Sequence, residues 1–417
     1  MKRFSPPPTP KRGHHQGHHR NHLEYHLLLL VTLGLVAFGL VMVYSASSAR
    51  AMLAAGDPAY YLKRQALYAV VGLVLLAFLS RIDVRALRVA AGPLLGASFV
   101  LLLAVLVLGT AVNGARRWLS VGVLDFQPSE LAKLALALWV AAYLARRPAP
   151  QSLGELARPI GLVVGGACLL VLVEPDLGTA IAIAIMAAAV LVVSGTPLRV
   201  LAGAGAVGLF VVFVAIWMEP YRRARIFSFL DPWQDPEGAG FQSVQAMIAL
   251  GSGGIFGVGL GESVQKIYYL PEASTDMIFA IVGEELGLLG ATGVIAAFAV
   301  FGWAGFNIAL RCKDPFGKRL AAGLTALVCG QAAVNVCAVL GLAPLTGIPL
   351  PFVSYGGSSL VVGLASVGIL LNIAVNHAAA AEAQVPDRRR RHGGARAARA
   401  RGRGGPERPR RRSHVRV

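Results

Sequence analysis

Ten apolar stretches dominate this chain, most of them long enough to cross about 30 Å of hydrocarbon as helices. They run at 26–46, 66–80, 88–110, 129–145, 158–173, 178–195, 198–218, 276–306, 319–343 and 349–376. Backbone polar groups in lipid must be satisfied within the segment, so these runs predict an all-α polytopic membrane protein of about ten helices. The second, fifth and sixth runs are short or abut their neighbours. With 56% hydrophobic and 14% charged residues, the 417-residue chain is too apolar for a soluble domain of its length. The first run ends in Tyr44-Ser45-Ala46-Ser47-Ser48, small residues that mimic a signal-peptidase site. At about 20 residues it exceeds a signal peptide's apolar core and reads as an anchor.

The basic residues orient the bundle. Placing both termini in the cytoplasm puts 29 Lys and Arg residues inside and nine outside: Arg50, Lys63, Arg64, Arg116, Arg117, Arg222, Arg223, Arg225 and Lys266. The pI near 10.4 comes largely from 13 arginines after residue 387, so the excess charge does not argue for a nucleic-acid partner. Segments 1–25 and 377–417 read as disordered cytoplasmic tails around a 26–376 transmembrane domain. Two readings stand for the Arg-rich tail: contact with anionic lipid that fixes topology, or an arm that docks RNA or a partner. The cluster His14, His15, His18, His19 and His22 lies among Pro, Gly and basic residues and reads as an incidental chelator. Cys168, Cys312, Cys329 and Cys337 form no metal-type pair.

Six of the nine outer cations fall in two loops, 111–128 and 219–275. Cations kept where insertion disfavours them predict an anionic ligand bound from outside; outer-leaflet phosphates are the bland alternative. The 219–275 loop is too long for a simple connector. Gly257-Val258-Gly259-Leu260-Gly261 follows no strand and reads as local flexibility or a re-entrant segment, the glycines letting the loop lie in the membrane interface and close on a lipid. Asp276 falls at the mouth of the eighth span, with Thr275 expected to cap the helix and Glu272 beside it. A helix cap is the structural reading, and a general base or metal ligand the functional one. Glu130 and Lys133, three residues apart, share a helix face and can pair. Glu284 and Glu285 lie two turns into the eighth span, where an ionisable group is a functional candidate or a satisfied internal ion pair. Arg116 and Trp118 are placed to grip a phosphate and a sugar ring, unless Trp118 is only an interfacial anchor. Glu174-Pro175-Asp176 reads as a capping turn on the outer side.

Taken in order, six motifs resemble the SEDS family of cell-wall polymerases, the group of FtsW, RodA and SpoVE. They are Asn113 to Trp118, Gln127 to Lys133, Glu174 to Thr179, Leu270 to Asp276, Gly283 to Gly287, and Pro349 to Ser359 with Ser354 inside it. The resemblance implies a ten-helix glycosyltransferase that polymerises lipid II at the outer face of the cytoplasmic membrane, with a class B penicillin-binding protein and other divisome proteins as partners. It places the family's essential aspartate on Asp276. The usual motif has His where this chain has Ser274 and Phe where it has Met277, which removes any proton relay through that His. Met42 to Ser48, Tyr61 to Gln65 and the long polar tails favour the division type at the septum; the motif Thr346 to Pro351 also suits the elongation type.

On this reading Asp276 deprotonates the acceptor hydroxyl, and Arg116, Arg117, Lys133, Arg222 and Arg223 are candidates to stabilise the departing pyrophosphate. Glu130, Glu272, Glu285 and Ser354 are supporting candidates. A divalent cation, magnesium or manganese, suits hard oxygen ligands, although no local cage of ligands is legible. A lipid II flippase is the alternative from a different class; it would require essential cations at the cytoplasmic mouth as well.

Overall fold

A computed structural model describes residues 16–112, 115–121, 124–218, 220–267 and 269–383. In chain order the helices are α1 (Gln16–Ala55), α2 (Tyr60–Leu79), α3 (Val84–Leu108), α4 (Pro128–Leu144), α5 (Leu153–Leu156), α6 (Leu162–Val173), α7 (Leu177–Ser194), α8 (Leu198–Met218), α9 (Pro220–Leu230), α10 (Phe241–Gly253), α11 (Ile278–Arg311), α12 (Pro315–Val339) and α13 (Gly357–Ala383). A π-helical turn joins α5 to α6, making one span of Leu153–Val173. Among the described residues nine helices are long and apolar enough to cross a membrane. The remaining apolar run, 129–145, became α4, which has 17 residues and lies at the centre. It packs on α3, α7 and α12, so most of its side chains are buried in protein rather than facing lipid.

Boundaries moved where proline and glycine decide them. α1 begins at Gln16 and α13 reaches Ala383, so both helices enter segments expected to be tails; no proline stands between Lys11 and Asp57, or between Gly357 and Val385. The remainder of both tails, with most of the Arg-rich segment, lies outside the described residues. Conversely, residues 349–356 do not open the last span. Pro349 and Pro351 cannot propagate a helix, and α13 starts at Gly357.

The core is built by α13 along α2, α12 between α7 and α11, and α1 against α11. α8 stands apart and buries only Val200, as expected of a helix that faces lipid. One end of the bundle is tied by Arg311–Glu24 (2.7 Å), Arg88–Asp314 (3.3 Å) and Arg319 donating to Ser194 (2.8 Å). Those residues belong to the side expected to be cytoplasmic. At the opposite end the loop between α3 and α4 forms a small antiparallel meander, β1 (Thr110–Val112), β2 (Ala115–Val121) and β3 (Leu124–Phe126). No strand is legible there in sequence, because β1 and β3 have three residues each and β2, Ala115-Arg116-Arg117-Trp118-Leu119-Ser120-Val121, does not alternate polar with apolar.

Candidate functional site

Asp276 lies in the run of turns Leu270–Met277 that leads into α11. Glu272 has a left-handed backbone (φ 54°) and its carbonyl accepts from the N–H groups of Thr275 (3.0 Å) and Met277 (3.3 Å). The hydroxyl of Thr275 donates back to the Glu272 carboxylate (2.9 Å), and only a long 3.5 Å contact reaches Asp276. The expected cap is therefore absent: α11 starts at Ile278 with Met277 at its cap position and no side-chain bond. Its first N–H groups begin two residues beyond Asp276, which frees that carboxylate for other partners.

Three elements converge on it. Asn335 of α12 donates to the backbone carbonyls of Asp276 (2.7 Å) and Ile348 (2.8 Å), locking the aspartate loop to the segment between α12 and α13. In that segment Gly347, with a left-handed backbone (φ 73°) and no side chain, leaves space beside the Asp276 carboxyl. Arg225 of α9 donates to the Leu345 carbonyl (3.2 Å), which carries its charge to the same place. Tyr355 N–H donates to the Ser274 carbonyl (2.8 Å) and closes the ring of loops. Burial pushes the Asp276 carboxyl up to about 7; the charge of Glu272 pushes the same way, and Arg225 with the Thr275 hydroxyl pulls it down. The result is a half-buried carboxylate poised near neutrality, which is what a general base requires.

The remaining outer loops reach this ring through a chain of contacts. Gln127, just before α4, donates to the Asp176 carboxylate (3.2 Å), which also accepts from Thr179 N–H (3.0 Å) and caps α7. A side chain on Gly178 would collide with Ile348, so α7 is pressed directly onto the segment that flanks Asp276. Arg117 of β2 donates to the carbonyls of Glu174 (2.7 Å) and Pro175, holding the meander over the α6–α7 turn. Glu174 is 1% exposed and neither of its oxygens has a hydrogen-bond partner. Burial pushes its carboxyl up to about 8, Asp176 adds to the rise, and Arg117 opposes it.

The sequence candidates divide accordingly. Arg116 is exposed and Trp118 half-exposed on β2, and Arg223 is half-buried on α9. Arg222 lies on α9, with its side chain outside what is described. Lys133 is 1% exposed and donates to Glu130 (2.8 Å), so the pair sits inside the bundle with both charges engaged. Glu285 pairs with Lys266 (2.9 Å) and accepts from Ser45 of α1 (2.7 Å). Ser354 accepts from Leu350 N–H (2.8 Å), and its carbonyl accepts from Gln65 of α2 (3.0 Å), so it folds the segment before α13. Arg225, Asn335, Gln65 and Lys266 escaped the sequence reading as site residues. Arg225 and Lys266 were visible only as outer cations, Asn335 as a polar residue within an apolar run, and Gln65 only as the end of the Tyr61 to Gln65 motif.

The model of the FtsW/RodA/SpoVE cell cycle proteins matches residues 25–379. The chain belongs to that family. Among curated members, a probable peptidoglycan glycosyltransferase FtsW of Geobacter sulfurreducens is 43% identical over 352 residues, covering 83% of this chain and 94% of the relative. Stage V sporulation protein E of Bacillus subtilis is 40% identical over 352 residues, covering 83% and 96%. Of solved family structures, a chain from a peptidoglycan synthase complex that coordinates polymerization and crosslinking superposes with a TM-score of 0.70 at 33% identity, over 84% of this chain and 97% of that one. The rod shape determining protein RodA of Thermus thermophilus gives 0.61 at 32% identity, over 84% and 96%.

Proposed function

We propose that this protein is a peptidoglycan glycosyltransferase of the cytoplasmic membrane that polymerises lipid II into glycan strands on the outer face, for septal wall synthesis during division. The observation that carries the reading is the Asp276 carboxyl, poised near neutrality between Glu272 and Arg225 on a loop whose backbone carbonyl Asn335 holds. In the step it serves, an acceptor sugar hydroxyl attacks the anomeric carbon of the donor as the bond to the lipid pyrophosphate breaks. The proton passes to Asp276 and the electron pair leaves with the pyrophosphate. Arg225, with Arg223 and the exposed Arg116, supplies positive charge toward the leaving group. The division role and a class B penicillin-binding protein as partner are supported by the names of the relatives and by the complex in which one structural neighbour resides.

Among the described residues no three metal-ligating side chains gather. Glu272 and Asp276 are close enough for their charges to interact, and two carboxylates suit a magnesium-like ion that keeps its waters and shares a pyrophosphate. Of the two, Glu272 would hold such an ion, which would neutralise charge on the leaving group while Asp276 takes the proton. Labelled lipid II given to the purified protein with its partner, and the products sized on a gel, tests the assignment. Polymer from the native chain and none from Asp276→Ala is the expected result; full-length polymer from the variant removes Asp276 as the base.

A further inference from the structure

α11 is broken eleven residues beyond Asp276, at Gly287, and the outer loop is built into the break. Gly287 adopts φ 64° and ψ −161°, a conformation open to glycine alone, which frees the carbonyls of Glu284 and Glu285 from the helical ladder. Those carbonyls accept from Val258 N–H (3.0 Å) and Gly259 N–H (3.1 Å), while Leu288 and Leu289 donate to Gly254 (2.9 Å) and Ile255 (3.2 Å). A side chain at Gly257 would strike the Glu285 carbonyl, so the two backbones meet only because that position is glycine.

The side chains then lock the junction. Glu284 accepts from the Ser263 hydroxyl and from Val264 N–H (3.0 Å). Glu285 is 0% exposed and pairs with Lys266, whose ammonium also donates to the Gly261 carbonyl (2.6 Å) and the Ser45 hydroxyl (3.3 Å). Ser45 ties the same knot to α1. The segment is stapled by backbone and side chain to the helix that leads from Asp276.

We propose that Lys266, Glu285 and Ser45, with Glu284 and Ser263, are positioning residues for Asp276. They fix the tilt of the first turns of α11 and make the place of the carboxylate depend on the outer loop being ordered. This rests on the reading of Asp276 as the base. Nine residues of helix make a lever of about 14 Å. A tilt of about 5° at its far end moves Asp276 by about 1 Å, a displacement that costs on the order of 10²-fold in rate.

The test compares Lys266→Met, Glu285→Gln and Ser45→Ala in the full chain with its partner. It reads polymerisation of labelled lipid II together with amide hydrogen exchange across 276–286. Expected for the first two is kcat lower by about 10²-fold with KM changed by less than about threefold, and faster exchange in that stretch. Ser45→Ala removes a donor without stranding a charge and covers the case in which the others do not fold. Its kcat should fall about tenfold, in proportion to a smaller displacement. Unchanged kcat, a change confined to KM, or unchanged exchange overturns the proposal. If the native chain makes no polymer, the assignment of the base falls, while the exchange measurement still decides whether the clasp orders 276–286.

Discussion

If Asp276 acts as the base, the rate must follow its ionisation, and its surroundings set where that occurs. With the carboxyl at about 7, roughly 9% is ionised at pH 6 and roughly 91% at pH 8, so kcat should rise about tenfold across that interval. Glu272 raises the midpoint and Arg225 lowers it. Glu272→Gln should therefore move the half-maximal pH toward acid, and Arg225→Ala toward alkali. Stability runs in the opposite sense to rate. The folded value lies above the ordinary 3.8, so the stabilisation present in acid is lost as pH rises from 3.8 through about 7. Asp276→Asn should accordingly unfold at a higher temperature than the native chain at pH 8, while making no polymer. The assay is initial-rate polymerisation of labelled lipid II between pH 5.5 and 8.5 in detergent, with thermal unfolding followed in parallel. A flat profile from a chain that still requires Asp276 would refute the titrating base, as would an alkaline shift from Glu272→Gln.

Three further outcomes follow from the same geometry. Glu174, unpartnered and raised from 4.5 to about 8, should make the native chain lose stability as pH rises through that window. The isosteric Glu174→Gln should flatten that loss and retain polymerisation; equal slopes for the two proteins in thermal melts from pH 5 to 8 would contradict the buried acid. Lys133→Met strands the Glu130 carboxylate inside the bundle and should cost about 3 kcal/mol or more of stability. Adding Glu130→Gln should recover most of it in denaturation measurements, and failure to recover would mean that Lys133 acts through something other than its ion pair. Chelation by EDTA should stop polymerisation, with magnesium or manganese restoring it; full activity in EDTA dismisses the cation.

The sequence by itself determined the polytopic helical fold and the family, and it supplied the charge bias that assigns the sides and the motif that singles out Asp276. Those follow from local quantities: runs of apolar side chains, the distribution of Arg and Lys, and short motifs whose order survives in a linear string. It also fixed the pairing of Glu130 with Lys133, because helical spacing alone puts them on one face. The tertiary structure decided what surrounds the aspartate. Asn335 meets Asp276 across 59 residues, Glu285 meets Ser45 across 240, and Gln65 reaches the Ser354 carbonyl across 289. No periodicity encodes such distances. Whether an outer cation such as Lys266 serves a ligand or a buried carboxylate depends on which backbone comes to lie beside it. The same holds for Asp276: its motif marks the residue, but its displacement toward neutral pH arises from burial and the Glu272 charge, opposed by Arg225, which only the folded loops bring together.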